Sequence, residues 1–145
     1  MESDYGLWSI VLLSTTMKDI TLEQIEKDLY RRREIRKKNG ITGIVINARG
    51  NILLSAEGKK EHVKLQYDEI KKYQGHHSII KLYFGPIPFR FFEEDPLAFK
   101  SLGVEEHKFL DSFKSEEQKE YLQEVLNIEH PVSRIINDFI KNNSK

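Results

Sequence analysis

Asn39-Gly40-Ile41-Thr42-Gly43-Ile44-Val45-Ile46, with Gly50 and the pair Glu57-Gly58 downstream, is the stretch that decides the fold. Asn39-Gly40 supplies a helix stop, since glycine enters the left-handed region that ends a helix at no steric cost. Ile41 to Asn47 is apolar and β-branched and reads as a strand. Ala48-Arg49-Gly50-Asn51 has the composition of a hairpin turn. It leads into a second strand, Ile52 to Ala56, and Gly58 closes it.

Upstream, Leu7 to Leu13 is a nearly continuous apolar run, as expected of a strand buried on both faces. Thr15 to Ile20 reads as a polar connection. Thr21-Leu22-Glu23-Gln24 then has the pattern of a capping box, in which the Thr21 hydroxyl takes an orphan amide of the first turn. The helix it opens should run to about Lys38, with Leu22, Ile25 and Leu29 as its apolar stripe. The same stripe continues onto Arg32 and Arg36, charged residues at core-facing positions.

Downstream, a second helix is expected from about Lys60 to Tyr73, with Val63, Tyr67 and Ile70 on one face and Gly75 as its break. Ile79 to Phe84 reads as a strand, Gly85-Pro86-Ile87-Pro88 as a rigid turn and Phe89 to Phe92 as a final strand. The order is the split βαβ pattern with one added edge strand. The fold class is therefore α+β: a ferredoxin-like βαββαββ sandwich with two C-terminal helices. Residues 1–98 are expected to form the sheet domain and 99–145 the helical extension.

In that extension, Ser115-Glu116-Glu117-Gln118 repeats the capping-box pattern ahead of Tyr121, Leu122 and Val125. Pro131 suits a first helical position. Val132, Ile135, Ile136, Phe139 and Ile140 then make a strongly apolar face. That face packs on the open side of the sheet or forms a subunit or partner surface.

A length of 145 residues favours one domain with a short appended element. The 23 basic side chains balance 23 acidic ones, so no overall field draws the chain to nucleic acid or to an acidic membrane. Cysteine is absent, which excludes disulfide and thiolate chemistry. No apolar run approaches the roughly 20 residues that span a bilayer, and the N-terminus lacks the basic start of a signal peptide. A cytoplasmic location is the expectation.

Few residues suggest catalysis. His76-His77 are adjacent, point apart on irregular backbone and have no third ligand at metal spacing. Ser14 and His62 sit in no recognisable triad order. Arg31-Arg32-Arg33 and Arg36-Lys37-Lys38 read as a solvated helix face interrupted by Glu34. No enzyme activity, metal or catalytic residue is expected. Trp8 and the tyrosines read mainly as core.

The pairs Ile41-Thr42-Gly43 and Glu57-Gly58 stand at a specific separation, with Thr21-Leu22, Gly50, Val63, Ile70, His76 and Arg90-Phe91-Phe92 around them. Over about Leu7 to Leu97 this pattern resembles the BLUF family, the flavin-based sensors of blue light. The resemblance implies an isoalloxazine ring between the two sheet-packing helices. It also implies a photoactive tyrosine on the first strand, a glutamine relay on the third and an asparagine at the end of the first helix. A tryptophan or methionine near the last strand would report the switch.

Carried onto this chain, the tyrosine position is Leu12, the glutamine position Leu54 and the asparagine position Arg36. Ile25 and His76 are further positions of the family's flavin pocket, and the switch positions are Asp95 and Leu97. The family's acid and arginine near the second helix's end become Tyr73 and Gly75. Leucine neither donates a hydrogen bond nor offers an accessible redox couple. Each polar partner lost from a buried ring edge costs about 1–3 kcal/mol. Two or three losses lower affinity about 10²- to 10⁴-fold.

The resemblance thus implies a divergent sensory or regulatory domain that acts through protein contacts without the usual photocycle. No tightly bound cofactor is expected. The alternative is an FAD-binding photoreceptor with altered flavin contacts. The expected partners are a second copy of the chain and a separate output protein, with no nucleic acid or membrane. For Arg36 three readings stand open: pairing with Glu57 or Asp95, snorkelling at the helix end, or holding an anion.

Overall fold

Five strands, Leu7–Thr16 (β1), Ile44–Ala48 (β2), Asn51–Lys59 (β3), His76–Pro86 (β4) and Ala98–Leu102 (β5), form one sheet of order β4-β1-β3-β2-β5. They are seen in a computed structural model that describes residues 6–16, 21–72, 76–93, 95–103 and 110–144. Neighbouring strands are antiparallel except β2 and β5, which run parallel. β2 and β3 meet through Arg49-Gly50, with φ of 52° and 96°. Two successive positive φ values match the right-handed twist of a two-residue hairpin. Asn47 Oδ1 accepts from the Gly50 amide at 3.1 Å and fastens the turn.

Helix α1 (Leu22–Lys38) connects β1 to β2, and α2 (Lys60–Lys72) connects β3 to β4. Thr21 caps α1 by accepting from the Gln24 amide at 3.1 Å. After β5 come α3 (Glu116–Leu126) and α4 (Pro131–Asn143). Ser115 and Gln118 form the full reciprocal capping box of α3, and Pro131 stands in the first turn of α4. His130 caps α4 through Nδ1, which accepts from the Val132 amide at 3.1 Å. Its ring meets Phe91 edge-on at 5.3 Å.

Strand alternation divides the interior in two. Ile10, Leu12, Leu54, Ala56, Val45 and Phe99 pack against Leu29 of α1 and Val63 and Ile70 of α2. Val11, Leu53, Ile44, Ile46 and Ala98 pack against Leu122 and Val125 of α3 and Val132 and Ile136 of α4. The apolar face of α4 therefore lies on the open side of the sheet, with Ile135, Phe139 and Ile140 half-buried at its margin. This is the ferredoxin-like arrangement expected, with β5 added beside β2.

The fifth strand is not where the sequence placed it. Phe89 to Phe92 form no strand; Phe91 lies in a turn, and the strand is Ala98–Leu102. The Phe91 and Phe92 amides bond to a side chain, so they cannot serve a sheet ladder. β1 also runs on to Thr16, into the stretch read as a polar connection. Residues 17–20, Tyr73 and Gly75 lie outside the described residues, as does the side chain of Leu22.

Gly43 and Gly58 are placed by close approach. A Cβ on Gly43 would collide with the Ser55 carbonyl oxygen, and one on Gly58 would sit 2.8 Å from the Gly40 carbonyl oxygen. Gly43→Ala should therefore force β2 away from β3. The expected result is a loss of more than about 2 kcal/mol in urea unfolding. A variant as stable as the wild type would refute the close packing.

Candidate functional site

Leu12 and Leu54 are cross-strand partners between β1 and β3. Leu54 in turn faces Val45 on β2, and Val45 faces Phe99 on β5. These four side chains form one apolar row across the sheet, each no more than 8% exposed. Leu97 is fully buried in the same cluster, and Ile25 of α1 packs against it half-buried. The structure thus brings Leu12, Ile25, Leu54 and Leu97 together beneath α1 and α2. His76 opens β4 opposite Thr16, and its side chain lies outside the described residues.

The motif residues Thr42 and Glu57 prove to be one unit. They exchange two backbone hydrogen bonds, at 3.0 and 2.8 Å. The Thr42 hydroxyl also donates to Glu57 Oε2 at 2.8 Å. The buried carboxylate accepts from the Phe91 amide at 2.9 Å and from the Phe92 amide at 2.7 Å. Arg90 Nη1 reaches Thr42 Oγ1 at 3.0 Å and the Glu57 carbonyl at 3.3 Å. Burial pushes the Glu57 carboxyl above the usual carboxylate range, against the opposing pull of the Phe92 and Phe91 amides, Thr42 and Arg90. The Tyr121 hydroxyl of α3 donates to the Phe91 carbonyl and holds the same turn from the other side.

Arg36 is 1% exposed. Nη1 donates to the Pro96 carbonyl at 3.0 Å, while Nε and Nη2 have no partner among the described residues. Neither Glu57 nor Asp95 forms an ion pair with it. Glu57 is committed to Thr42 and the two amides, and Asp95 Oδ1 accepts from the Leu97 amide at 3.0 Å. Nor does Arg36 snorkel, because no part of it reaches solvent appreciably. Burial first, and then repulsion from Arg32, push its pKa down to about 9 despite Glu57 and Asp95, so it stays charged at neutral pH.

Arg33 Nη2 donates to the Leu97 carbonyl at 2.6 Å. The basic run is therefore only partly a solvated face. Positions 29, 33 and 36 share one side of α1, and that side turns toward the segment before β5. The same segment is fixed to β2, since Gly43 donates to the Asp95 carbonyl at 3.1 Å and accepts from the Ala98 amide at 2.9 Å. Both switch positions sit on it. Its far side borders a cleft of about 330 Å³ lined by Phe92, Phe113 and Tyr121 with Glu93, Asp95 and Glu117.

Sequence reasoning missed the role of Glu57, quoting it as a motif letter and a candidate partner for Arg36. It also missed Arg33 and Tyr121. One available signal was the placement of Glu57 directly after the apolar run Ile52 to Ala56, where a buried carboxylate requires several donors nearby.

Sheet order, helix placement and the apolar row define a ferredoxin-like α+β domain whose two helical layers flank one sheet. The family model described as sensors of blue-light using FAD, BLUF, matches residues 7–98, and the chain belongs to that family. A comparison with curated proteins finds no match. Similar solved structures include Klebsiella pneumoniae BlrP1 in a manganese and cyclic diGMP complex. It has 18% identity and a TM-score of 0.76 over 94% of this chain and 33% of that one. The BLUF protein BlrB in its dark state has 18% identity and a TM-score of 0.67 over 85% and 96%. BlsA in its ground state has 21% identity and a TM-score of 0.66 over 86% and 90%. These identities establish the shared fold. The chain spans about a third of the length of BlrP1 and of a bacterial light-regulated adenylyl cyclase that it also resembles.

Glu57→Gln should destabilise the domain by about 1–3 kcal/mol. Glutamine presents one oxygen where two are used, so one of the Phe91 and Phe92 amides meets an NH2 group. An unchanged urea midpoint would show that the carboxylate does not hold this turn.

Proposed function

We propose that this chain is a divergent BLUF-family sensory or regulatory domain that signals through protein–protein contacts and does not run the family's usual photocycle. The observation that carries this reading is the pairing of Leu12 with Leu54 in a buried apolar row with Leu97 beside it. A light-driven relay needs groups that donate, accept and exchange protons in the excited state. None of the three side chains does so. Arg36, at the family's asparagine position, adds a charge that a neutral ring edge does not ask for.

The domain itself is not assigned a catalytic role. No triad or phosphate-binding loop accompanies the candidate residues, and the fold alone implies no reaction. The helices beyond residue 98 are assigned to contacts with a separate output protein. Among the described residues no helix is long and apolar enough to cross a membrane.

A second reading, an FAD-binding photoreceptor with altered ring contacts, is favoured by the family match. The two readings separate on the purified protein. Protein from a flavin-rich host is expected to lack flavin's visible absorption, and added FAD should leave the melting temperature unchanged. A micromolar site would instead add about 2.7 kcal/mol at a hundredfold excess over Kd. A yellow preparation whose band shifts red on illumination would overturn the first reading in favour of the second.

The contact surface proposed for a second copy is the outer edge of β4. β4 is a terminal strand of the sheet, and it exposes Ile80 at 53% and Leu82 at 41%. An unpaired edge carrying exposed apolar side chains is a ready template for a two-fold partner. Light scattering is expected to give a dimer for the wild type and a monomer for Ile80→Glu. A monomeric wild type would remove this surface from the account.

A further inference from the structure

A groove of about 230 Å³ lies between α2 and β4, lined by neither Arg36 nor the leucines of the apolar row. α2 supplies Lys64, Tyr67, Asp68 and Lys71 to it, and β4 supplies Lys81 and Phe84. Helical spacing explains the first set. Lys60, Lys64, Tyr67 and Lys71 follow one another at helical steps of three and four and so form one stripe along α2. The stripe is basic, with a single ring in its middle.

The rings hold the ammonium groups in place. Lys71 Nζ lies 4.5 Å from the centre of the Tyr67 ring. Lys81 Nζ lies 5.3 Å from the same ring and 5.4 Å from that of Phe84. Ring faces attract cations, and an ammonium with three N–H bonds still has donors left to offer. One tyrosine thus gathers two like charges, and Lys64 adds a third on the same groove. Among the described lining residues only Asp68, 3.7 Å from Lys71, opposes them. Three ammoniums less one carboxylate leave a double positive charge, which suits a phosphate dianion better than a single carboxylate. Space allows it as well: a water molecule takes roughly 30 Å³, so the groove has room for a phosphate or diphosphate.

We propose that this groove binds the phosphate or diphosphate group of a small phosphorylated molecule, with Lys64, Lys71 and Lys81 as its donors. Lysine serves phosphate as a point charge and needs no fixed fork to do so. The same chemistry continues beyond the groove, where the Phe84 ring meets Trp8 at 4.9 Å and Lys60 Nζ lies 4.3 Å over the Trp8 ring. A ligand longer than its phosphates can follow that row. The proposal goes beyond the contact-module reading and does not rest on it, since its probes carry no flavin and its variants leave Ile80 and the leucine row untouched.

The test is a nuclear magnetic resonance titration of the full chain with inorganic pyrophosphate and with ATP, against sodium chloride at matched ionic strength. Saturable shifts are expected at the Lys64, Lys71 and Lys81 amides and at the indole N–H of Trp8, the chain's one tryptophan. Lys64→Gln and Lys81→Gln should each weaken binding about tenfold or more, and both side chains are exposed, so neither change threatens the fold. Lys27→Gln, an exposed change on α1, should leave binding as it was. The two probes identify the ligand further: equal affinity means that the phosphates alone are read, and tighter ATP binding means that the ring row takes part. Shifts that never saturate, shifts centred elsewhere, or equal weakening by Lys27→Gln would overturn the proposal.

Discussion

The Glu57 carboxylate is the constraint on which the rest of the domain depends. It is buried near the end of β3, just before α2 begins, and it organises three separate pieces of chain. Thr42 sets the approach of β2, while the Phe91 and Phe92 amides set the path after β4. Arg90 closes the arrangement over both. A buried anion tolerates this position only while its donors are present, so the pieces cannot drift independently. Because Phe91 and Phe92 spend their amides here, the chain turns, and the fifth strand forms only after Pro96. That displacement carries Asp95 and Leu97 across the end of α1 and places them between the two interiors of the molecule.

Much of this was legible in the residues. The hairpin at Arg49-Gly50, the caps at Thr21 and Ser115, and the apolar face of α4 follow from local chemistry, and each appears where that chemistry puts it. The fifth strand was not legible. Phe89-Arg90-Phe91-Phe92 has stronger strand propensity than Ala98-Phe99-Lys100-Ser101-Leu102, and only a carboxylate more than thirty residues away overrides it. The role of Arg33 and the partner of Arg36 were missed for a related reason. Helical phase turned Arg36 inward correctly, but its partner is a backbone carbonyl at position 96, and carbonyls leave no mark in a sequence. The candidate site was half readable: Leu12, Leu54 and Leu97 share one buried cluster, whereas the hydrogen bond from Arg36 to the Pro96 carbonyl needed coordinates.

The two helical faces divide the work. On the α3 and α4 side the core is continuous and apolar, and it fixes the helices to the sheet. On the α1 and α2 side an apolar row ends at a buried guanidinium. These are opposite demands on one packed interior, since leucines exclude polar groups and Arg36 requires one. The segment Asp95–Ala98 lies at the junction. Gly43 and the two arginines hold it, so a change at Arg36 is mechanically connected to β5 and, through the cleft, to α3.

The facing of Leu12 and Leu54 has a consequence for the routes by which such a domain can change. A hydroxyl introduced at position 12 alone would look across the sheet at a hydrocarbon, and so would an amide introduced at 54 alone. Either intermediate carries a stranded dipole in a dry interior. Only the double replacement supplies each group with its mate. Stepwise substitution therefore climbs before it descends, and the row behaves as a ratchet: once both positions are aliphatic, single changes are held back by the fold itself.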